Sequence, residues 1–412
     1  MADSPFRVGA IGCGARGRSL LRHAARADDV EITVLYDPNP QAVLQAQREH
    51  APDAAVVDGI DQVVSRDDVD LVIVGSPDHA HREPAVAAFE HGKHVFCEKP
   101  LATTAEDCRA IWSAAQAADR ELIVGFVLRY APFYRGIKQR LDDGDLGPIM
   151  SIEANENLPF AQGAFFRRDW RRFRRFTGTY LLEKCCHDLD ILCWFADSLP
   201  RRVASFGGRS FFTPRSDAPL YCRDCDLDCA HRLELDPLPP KPESEPELTR
   251  GKDLDLCCFN SAQDIVDNQV VIIEFANGIR ATFHSNQNAA SPSRRMYVVG
   301  ERGCIEGDIY WGFFQYAPIR YTGDWEGLPW ERTEVVRAGQ HGGGDDSQFG
   351  DCLRRLREGR PMMSGGREGL VACVTALGID EARSTGTVVD LTETWDAYGL
   401  NDGAGEAAAG RR

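Results

Sequence analysis

Residues 181–195, LLEKCCHDLDILCWF, follow the pattern of a buried helix and yet carry Glu183, Lys184, His187, Asp188 and Asp190. Burying ionisable groups costs several kcal/mol each unless they are paired or used. At helical spacing His187 stands four residues from Glu183 and three from both Lys184 and Asp190, so these side chains share one side. An imidazole among acids and a base suits proton transfer.

A second group lies at the start of the chain. Gly12-x-Gly14-x-x-Gly17 follows the apolar run FRVGAIG (6–12) and precedes the helical spacing of Leu20, Leu21 and Ala24. Asp37 ends the next apolar run, EITVLYD (31–37). This context predicts a dinucleotide site. Gly12 allows a tight turn, Gly14 lets the backbone approach a pyrophosphate, and Gly17 lets helix and strand pack closely. Ala15 and Arg16 open the helix, whose free N–H groups face phosphate oxygens. Asp37 can accept hydrogen bonds from ribose hydroxyls and would repel a 2′-phosphate. NAD is therefore expected over NADP, with Arg16 and Arg18 moderating the preference.

The elements that position these groups fall into two regions. Up to about residue 130, strands at 6–12, 31–37, 69–77, 93–100 and 121–130 alternate with helices that include 83–90 and 104–118. That rhythm implies a doubly wound parallel sheet. From about 148 the runs PIMSIEANENL, RVASFGGRSFF, DNQVVIIEFANG, IRATFHSNQN and RRMYVVGERGCIEGD read as strands with short glycine turns, favouring a mainly antiparallel open sheet. Helices are expected at about 179–196, 345–359 and 366–385. The expected division is an α/β chain with a Rossmann domain at 1–130, a second α/β domain at 131–395 and a flexible tail at 396–412. The second domain holds an insertion rich in Pro, Cys and acids at about 213–262.

Composition narrows the function classes. A net charge of −16 argues against a nucleic-acid partner. No run of 18 apolar residues suggests a membrane span. The start MADSPFRVGAIG lacks a basic segment followed by an apolar one, so a reducing cytoplasm is expected. There the 14 cysteines favour metal binding over disulfides.

With the motifs AIGCGARG, GSPDHAH (75–81), HGKHVFCEKP (91–100) and the acid-x3-His-x2-Asp helix, the chain resembles the Gfo/Idh/MocA oxidoreductases over about 6–395. The resemblance implies NAD(P) binding, hydride transfer at a hydroxyl of a sugar or cyclitol, and a homo-oligomer (dimer or tetramer) built on the open sheet. It implies that Lys99 sits between nicotinamide and substrate, where its ammonium polarises the reacting oxygen. Ser76, Pro77 and His81 would line the cofactor, Glu98 would contact the nicotinamide ribose, and Arg129 and the pair Trp170–Arg171 would approach the cofactor. His187 would take the proton. Glu183, in a place usually held by Asp, would hold substrate hydroxyls or orient the base, with Asp190 beside it. Lys184 departs from the usual apolar residue; it can pair with Glu183 or Asp188, or add positive charge to the site.

Two further clusters stand out. FFRRDWRRFRRF (165–176) holds six arginines among ten residues from Arg167. Arg168 and Arg172 there could receive an anionic substrate group by bidentate contacts, or the cluster could pair with acids of its own or a neighbouring subunit. CRDCDLDC (222–229) with the later CC (257–258) suits tetrahedral Zn on Cys222, Cys225, Cys229 and Cys257, with His231 and Cys258 as substitutes. Three functions stay open. The first is an NAD-dependent dehydrogenase acting on a ring hydroxyl. The second is an NAD-dependent glycoside hydrolase that oxidises, eliminates, adds water and reduces back, perhaps on an anionic glycoside. The third is an NAD-binding regulatory protein without catalysis.

Overall fold

The computed structural model describes residues 5–320, 330–336 and 339–400. The chain divides into two units, one of Met1–Arg135 with Arg337–Val374, the other of Gly136–Val336 with Thr375–Arg412.

In the first unit, apolar runs form β1 (Phe6–Ile11), β2 (Val30–Tyr36), β3 (Ala55–Val56), β4 (Leu71–Val74), β5 (His94–Cys97) and β6 (Leu122–Val124). They pair in parallel in the order β3-β2-β1-β4-β5-β6. Strands covered on both faces read as continuous apolar runs, and LVIV of β4 is buried throughout. The stretch ELIVGFVLRY, predicted as one strand, stops at Val124; Val127–Tyr130 is a 3-10 turn. The helix Gly344–Glu358 belongs to this unit, although the sequence reading put it with the second region. Its Phe349, Cys352 and Leu353 share a core with Phe96, Ile123 and Tyr130, which is why a distant segment returns here.

The glycine loop is dictated by contacts. Gly12 has φ +93°, and a Cβ there would meet the Ser76 nitrogen at 2.3 Å. A Cβ on Gly17 would meet the Gly12 carbonyl oxygen at 1.9 Å, whereas one on Gly14 would meet nothing within 4 Å.

The second unit is built on β7 (Ile149–Pro159), β8 (Pro200–Gly208), β9 (Asn268–Phe275), β10 (Arg280–Ala289), β11 (Arg295–Gly300), β12 (Gly303–Asp308), β13 (Phe313–Pro318), β14 (Glu331–Glu334) and β15 (Val389–Asp390). Their order is β14-β13-β12-β11-β7-β10-β9-β8-β15. Among the described residues only β7 and β10 pair in parallel; the other neighbours are antiparallel. RRMYVVGERGCIEGD forms the hairpin of β11 and β12, with the chain turning between Gly300 and Gly303.

The helix Tyr180–Ala196 starts on Thr179, whose hydroxyl accepts from the Leu182 nitrogen at 2.9 Å, a cap worth about 1 kcal/mol. It docks on the sheet through Tyr180 and Cys185, which both reach the Ser285 hydroxyl of β10. The expected tail begins too early. Thr392–Ala397 is helical, Trp395 is buried and donates to the Pro200 carbonyl at 2.5 Å, and Leu400 is buried. The rest of that tail, 401–412, lies outside the described residues. Among the described residues no helix is long and apolar enough to cross a membrane.

These contacts separate two glycines of one motif. Gly17→Ala is expected to cost several kcal/mol or prevent folding, since the new Cβ overlaps backbone. Gly14→Ala should stay within about 1 kcal/mol of the parent, a helix-cap effect only. Thermal unfolding of the two variants checks this; equal losses would contradict it.

Candidate active site

In the first unit, Asp37 sits at the end of β2 and buttresses the glycine loop. Its carboxylate accepts from the Cys13 nitrogen at 2.7 Å and from the Asn39 nitrogen at 2.8 Å. Burial, with Asp37 alongside, pushes the Cys13 thiol up to about 12, so this cysteine is a packing residue. Ala15 opens the helix Ala15–Ala24, with Gly14 at its extended N-cap. The open space beyond Gly14, the free helix N-terminus and an acid at the next strand end fit an adenine dinucleotide.

Arg16 does more than the motif suggests. Its guanidinium donates to Glu98 at 2.7 Å and also binds Asp345, one of two first-turn acids of the helix Gly344–Glu358. Asp345 accepts from His341 Nδ1 at 2.5 Å as well. Burial pushes Asp345 up, but the His341 hydrogen bond and the Arg16 charge outweigh it. The carboxyl therefore lies well below the usual carboxylate range. Glu98 is buried and Lys99 follows it at the end of β5, with the Lys99 nitrogen donating to Glu98 Oε2 at 3.2 Å. His81 spans two turns: Nδ1 meets the Pro100 carbonyl at 2.9 Å and Nε2 the Ser76 carbonyl at 3.0 Å. The Ser76 hydroxyl donates to the Ala80 carbonyl, and Pro77 caps the 3-10 turn that follows. Arg129 is buried and donates to the Met363 carbonyl at 2.5 Å.

In the second unit, Glu183, His187, Asp188 and Asp190 are all buried on the helix Tyr180–Ala196. Glu183 is held by Arg171, whose Nε donates at 2.7 Å. Arg171 also donates to Asp169 at 2.8 Å and lies 4.3 Å over the Trp170 ring. Lys184 pairs with neither acid weighed for it; its Nζ is 3.1 Å from Glu156 of β7. Glu156 also meets Arg294 at 2.9 Å, and Arg294 makes a bidentate pair with Asp188, both bonds 2.7 Å. Burial raises the Asp188 carboxyl while the Arg294 guanidinium opposes it. Two acids and two bases thus compensate one another in one buried network. Glu156 and Arg294 escaped the sequence reading. The signal for Glu156 was parity: it shares the inward face of β7 with Ile152, Ala154 and Leu158.

The arginine cluster does not offer a free anion receptor. Arg172 is fully buried and donates to the carbonyls of Ala262 and Pro246 and to the Thr249 hydroxyl. Arg168 donates to the Leu256 carbonyl at 2.6 Å, and Arg167 to those of Ile265 and Val266. These guanidiniums bind the insertion's backbone, correcting the substrate role expected of Arg168 and Arg172. All 14 cysteines are free thiols. Cys222, Cys225, Cys229 and Cys257 line one small cavity. Among the described residues, however, no three His, Cys, Asp or Glu side chains are gathered as a ready metal site.

A family model described as an oxidoreductase family with an NAD-binding Rossmann fold matches residues 6–126. The GFO/IDH/MocA C-terminal domain matches residues 134–306. YteT of Bacillus subtilis strain 168, an oxidoreductase by name, is 26% identical over 345 residues, covering 76% of this chain and 80% of its own. Inositol 2-dehydrogenase of Gluconacetobacter diazotrophicus is 36% identical over 193 residues, 46% of this chain. The chain spans only about half of that relative's length, 54%. A structure of levoglucosan dehydrogenase with NADH and levoglucosan superposes with a TM-score of 0.74 at 20% identity, covering 94% of this chain and 100% of that one.

The depressed Asp345 carboxyl makes a pH-dependent prediction. Its contribution to stability is present above the unfolded value of about 4 and is lost as pH falls through the lower folded value. Asp345→Asn should therefore cost about 2 kcal/mol at neutral pH, with the gap from the parent narrowing below about pH 4. Denaturant midpoints across that range test it; a gap independent of pH would contradict it.

Proposed function

Because the chain belongs to the GFO/IDH/MocA oxidoreductase family, we propose that it is an NAD-dependent dehydrogenase acting on a ring hydroxyl of an uncharged sugar or cyclitol. The observation that carries the reading is the buried His187 one helical turn from Glu183, which Arg171 holds in place. Gly14, Ala15, Arg16 and Asp37 would hold the dinucleotide, with Ser76, Pro77, His81, Glu98 and Arg129 supporting its nicotinamide half. Bound there, NAD supplies the acceptor for a hydride from the hydroxyl-bearing carbon. Lys99 polarises the reacting oxygen and favours its deprotonated form. His187 takes the hydroxyl proton as neutral imidazole. Glu183 accepts hydrogen bonds from neighbouring hydroxyls, and Asp190 completes that side of the helix.

The pairing of charges argues against the other readings. Lys184 and Asp188 could have served the repeated proton transfers of a glycoside hydrolase, but Glu156 and Arg294 engage them. With Arg168 and Arg172 bound to carbonyls, nothing favours an anionic substrate. A regulatory protein would not need Lys99 and His187 together. Phe206, Val270 and Ile272, exposed on β8 and β9, support a homo-oligomer through the open sheet. A cytoplasmic location agrees with the free thiols.

The test is a panel of free ring polyols and glycosides incubated with the protein and NAD, followed by NADH absorbance and aglycone release. A free polyol should yield NADH with no aglycone release from glycosides. Lys99→Met and His187→Asn should each lower kcat by about 10²–10⁴ while leaving NAD affinity within a few-fold. Sugar release without net NADH would favour the hydrolase, and full activity in either variant would remove the assigned roles.

A further inference from the structure

The insertion between β8 and β9 poses a folding problem. From Arg209 to Asp267 its only regular element among the described residues is the 3-10 turn Cys222–Asp224. Loops this long rarely order themselves inside a compact unit. Its apolar clusters are small, one around Phe212, Cys258 and Phe259 and another around Tyr221, Leu254 and Leu256.

What order it has is concentrated at the cysteines. Tyr221 and Leu256 form an isolated antiparallel bridge. The Cys222 nitrogen donates to the Asp255 carbonyl, and the Cys257 nitrogen to the Leu220 carbonyl, both at 2.7 Å. Two strands of chain 35 residues apart thus bring Cys222 beside Cys257. Arg232 gathers the intervening turn, donating to the carbonyls of Cys222, Cys225 and Leu227. Between them lies a cavity of about 20 Å³, lined by Cys222, Cys225, Cys229, Cys257, Cys258 and His231. That volume suits one water-sized occupant. His231 Nδ1 is buried there and makes no hydrogen bond among the described residues.

We propose that Cys222, Cys225, Cys229 and Cys257 bind a thiophilic divalent cation such as Zn²⁺, which staples the insertion and takes no part in hydride transfer. The thiols stand around the cavity rather than converging on one point, so uptake of the ion must draw them in by side-chain rotation. Each thiol loses its proton on coordination, giving four thiolates around one dication. The resulting double negative charge is offset by two guanidiniums. Arg168 stands 3.9 Å from the Cys222 sulfur, and Arg232 is bound to the same loop. Cys257 and Cys258 both belong to the cluster with Phe212 and Phe259; Cys258, 1% exposed against 9% for Cys257, is the more deeply packed and is assigned no ligand role. This site is independent of the proposed dehydrogenase activity.

The test is elemental analysis of the full-length protein, expressed with zinc in the medium and purified under reducing, chelator-free conditions. The parent should carry about one equivalent of zinc, and Cys225→Ser and Cys229→Ser, both at partly buried positions, should lose most of it. Cys304→Ser, outside the insertion, should keep it. Exchange of the parent into Co²⁺ should produce thiolate-to-cobalt charge-transfer absorption, a readout that does not depend on the variants folding. NAD binding by the same samples reports separately on the first unit. Zinc below about a tenth of an equivalent with no cobalt band, or a full equivalent surviving in both serine variants, would overturn the site.

Discussion

Charge compensation on the buried face of the helix Tyr180–Ala196 is the constraint on which the second unit depends. A helix with Glu183, Lys184, His187, Asp188 and Asp190 cannot enter an apolar interior unless partners arrive from elsewhere. The partners come from three directions: Glu156 from β7, Arg294 from the turn before β11, and Arg171 from the arginine-rich segment. Each is fixed by its own backbone context. Glu156 is held in a central strand between β10 and β11, and the Arg294 nitrogen donates to Asp308 of β12. The sheet therefore sets the charges that let the helix be buried, with His187 one helical turn from Glu183 on it.

The first unit solves a related problem at its nucleotide loop. Gly12 and Gly17 let backbone approach backbone so closely that no side chain fits. The positive side chain that opens the next helix, Arg16, must then be neutralised. Glu98 does this from β5, and Asp345 does it from a segment more than three hundred residues away in sequence. The C-terminal return is thus tied to the loop electrostatically as well as through Phe349 and Leu353 in the core.

Local features were legible in the sequence because they are local. The parallel strands, the glycine loop with Asp37, the helix near 179–196 and the antiparallel second sheet follow from apolar period and turn residues. The family itself was readable from GxGxxG followed by EKP and the histidine helix. What could not be read was pairing across long separations. Lys184 could have met Glu183 or Asp188 on its own helix; Glu156 lies on a strand and announces itself only by occupying an inward position. Arg168 and Arg172 looked like anion receptors because their count is conspicuous, but a loop with few apolar residues needs donors for its carbonyls. The return of 337–374 to the first unit has no sequence signal short of the whole core.

The account rests on the claim that Asp188 and Arg294 compensate each other on burial, within the network that Glu156 and Lys184 complete. A double-mutant cycle on Asp188→Asn and Arg294→Met, read by denaturant unfolding, tests it most directly. Each single variant should lose about 3–5 kcal/mol, and the double variant should lose clearly less than their sum. Strictly additive losses would show that the two charges are tolerated separately, and the compensation argument would fail.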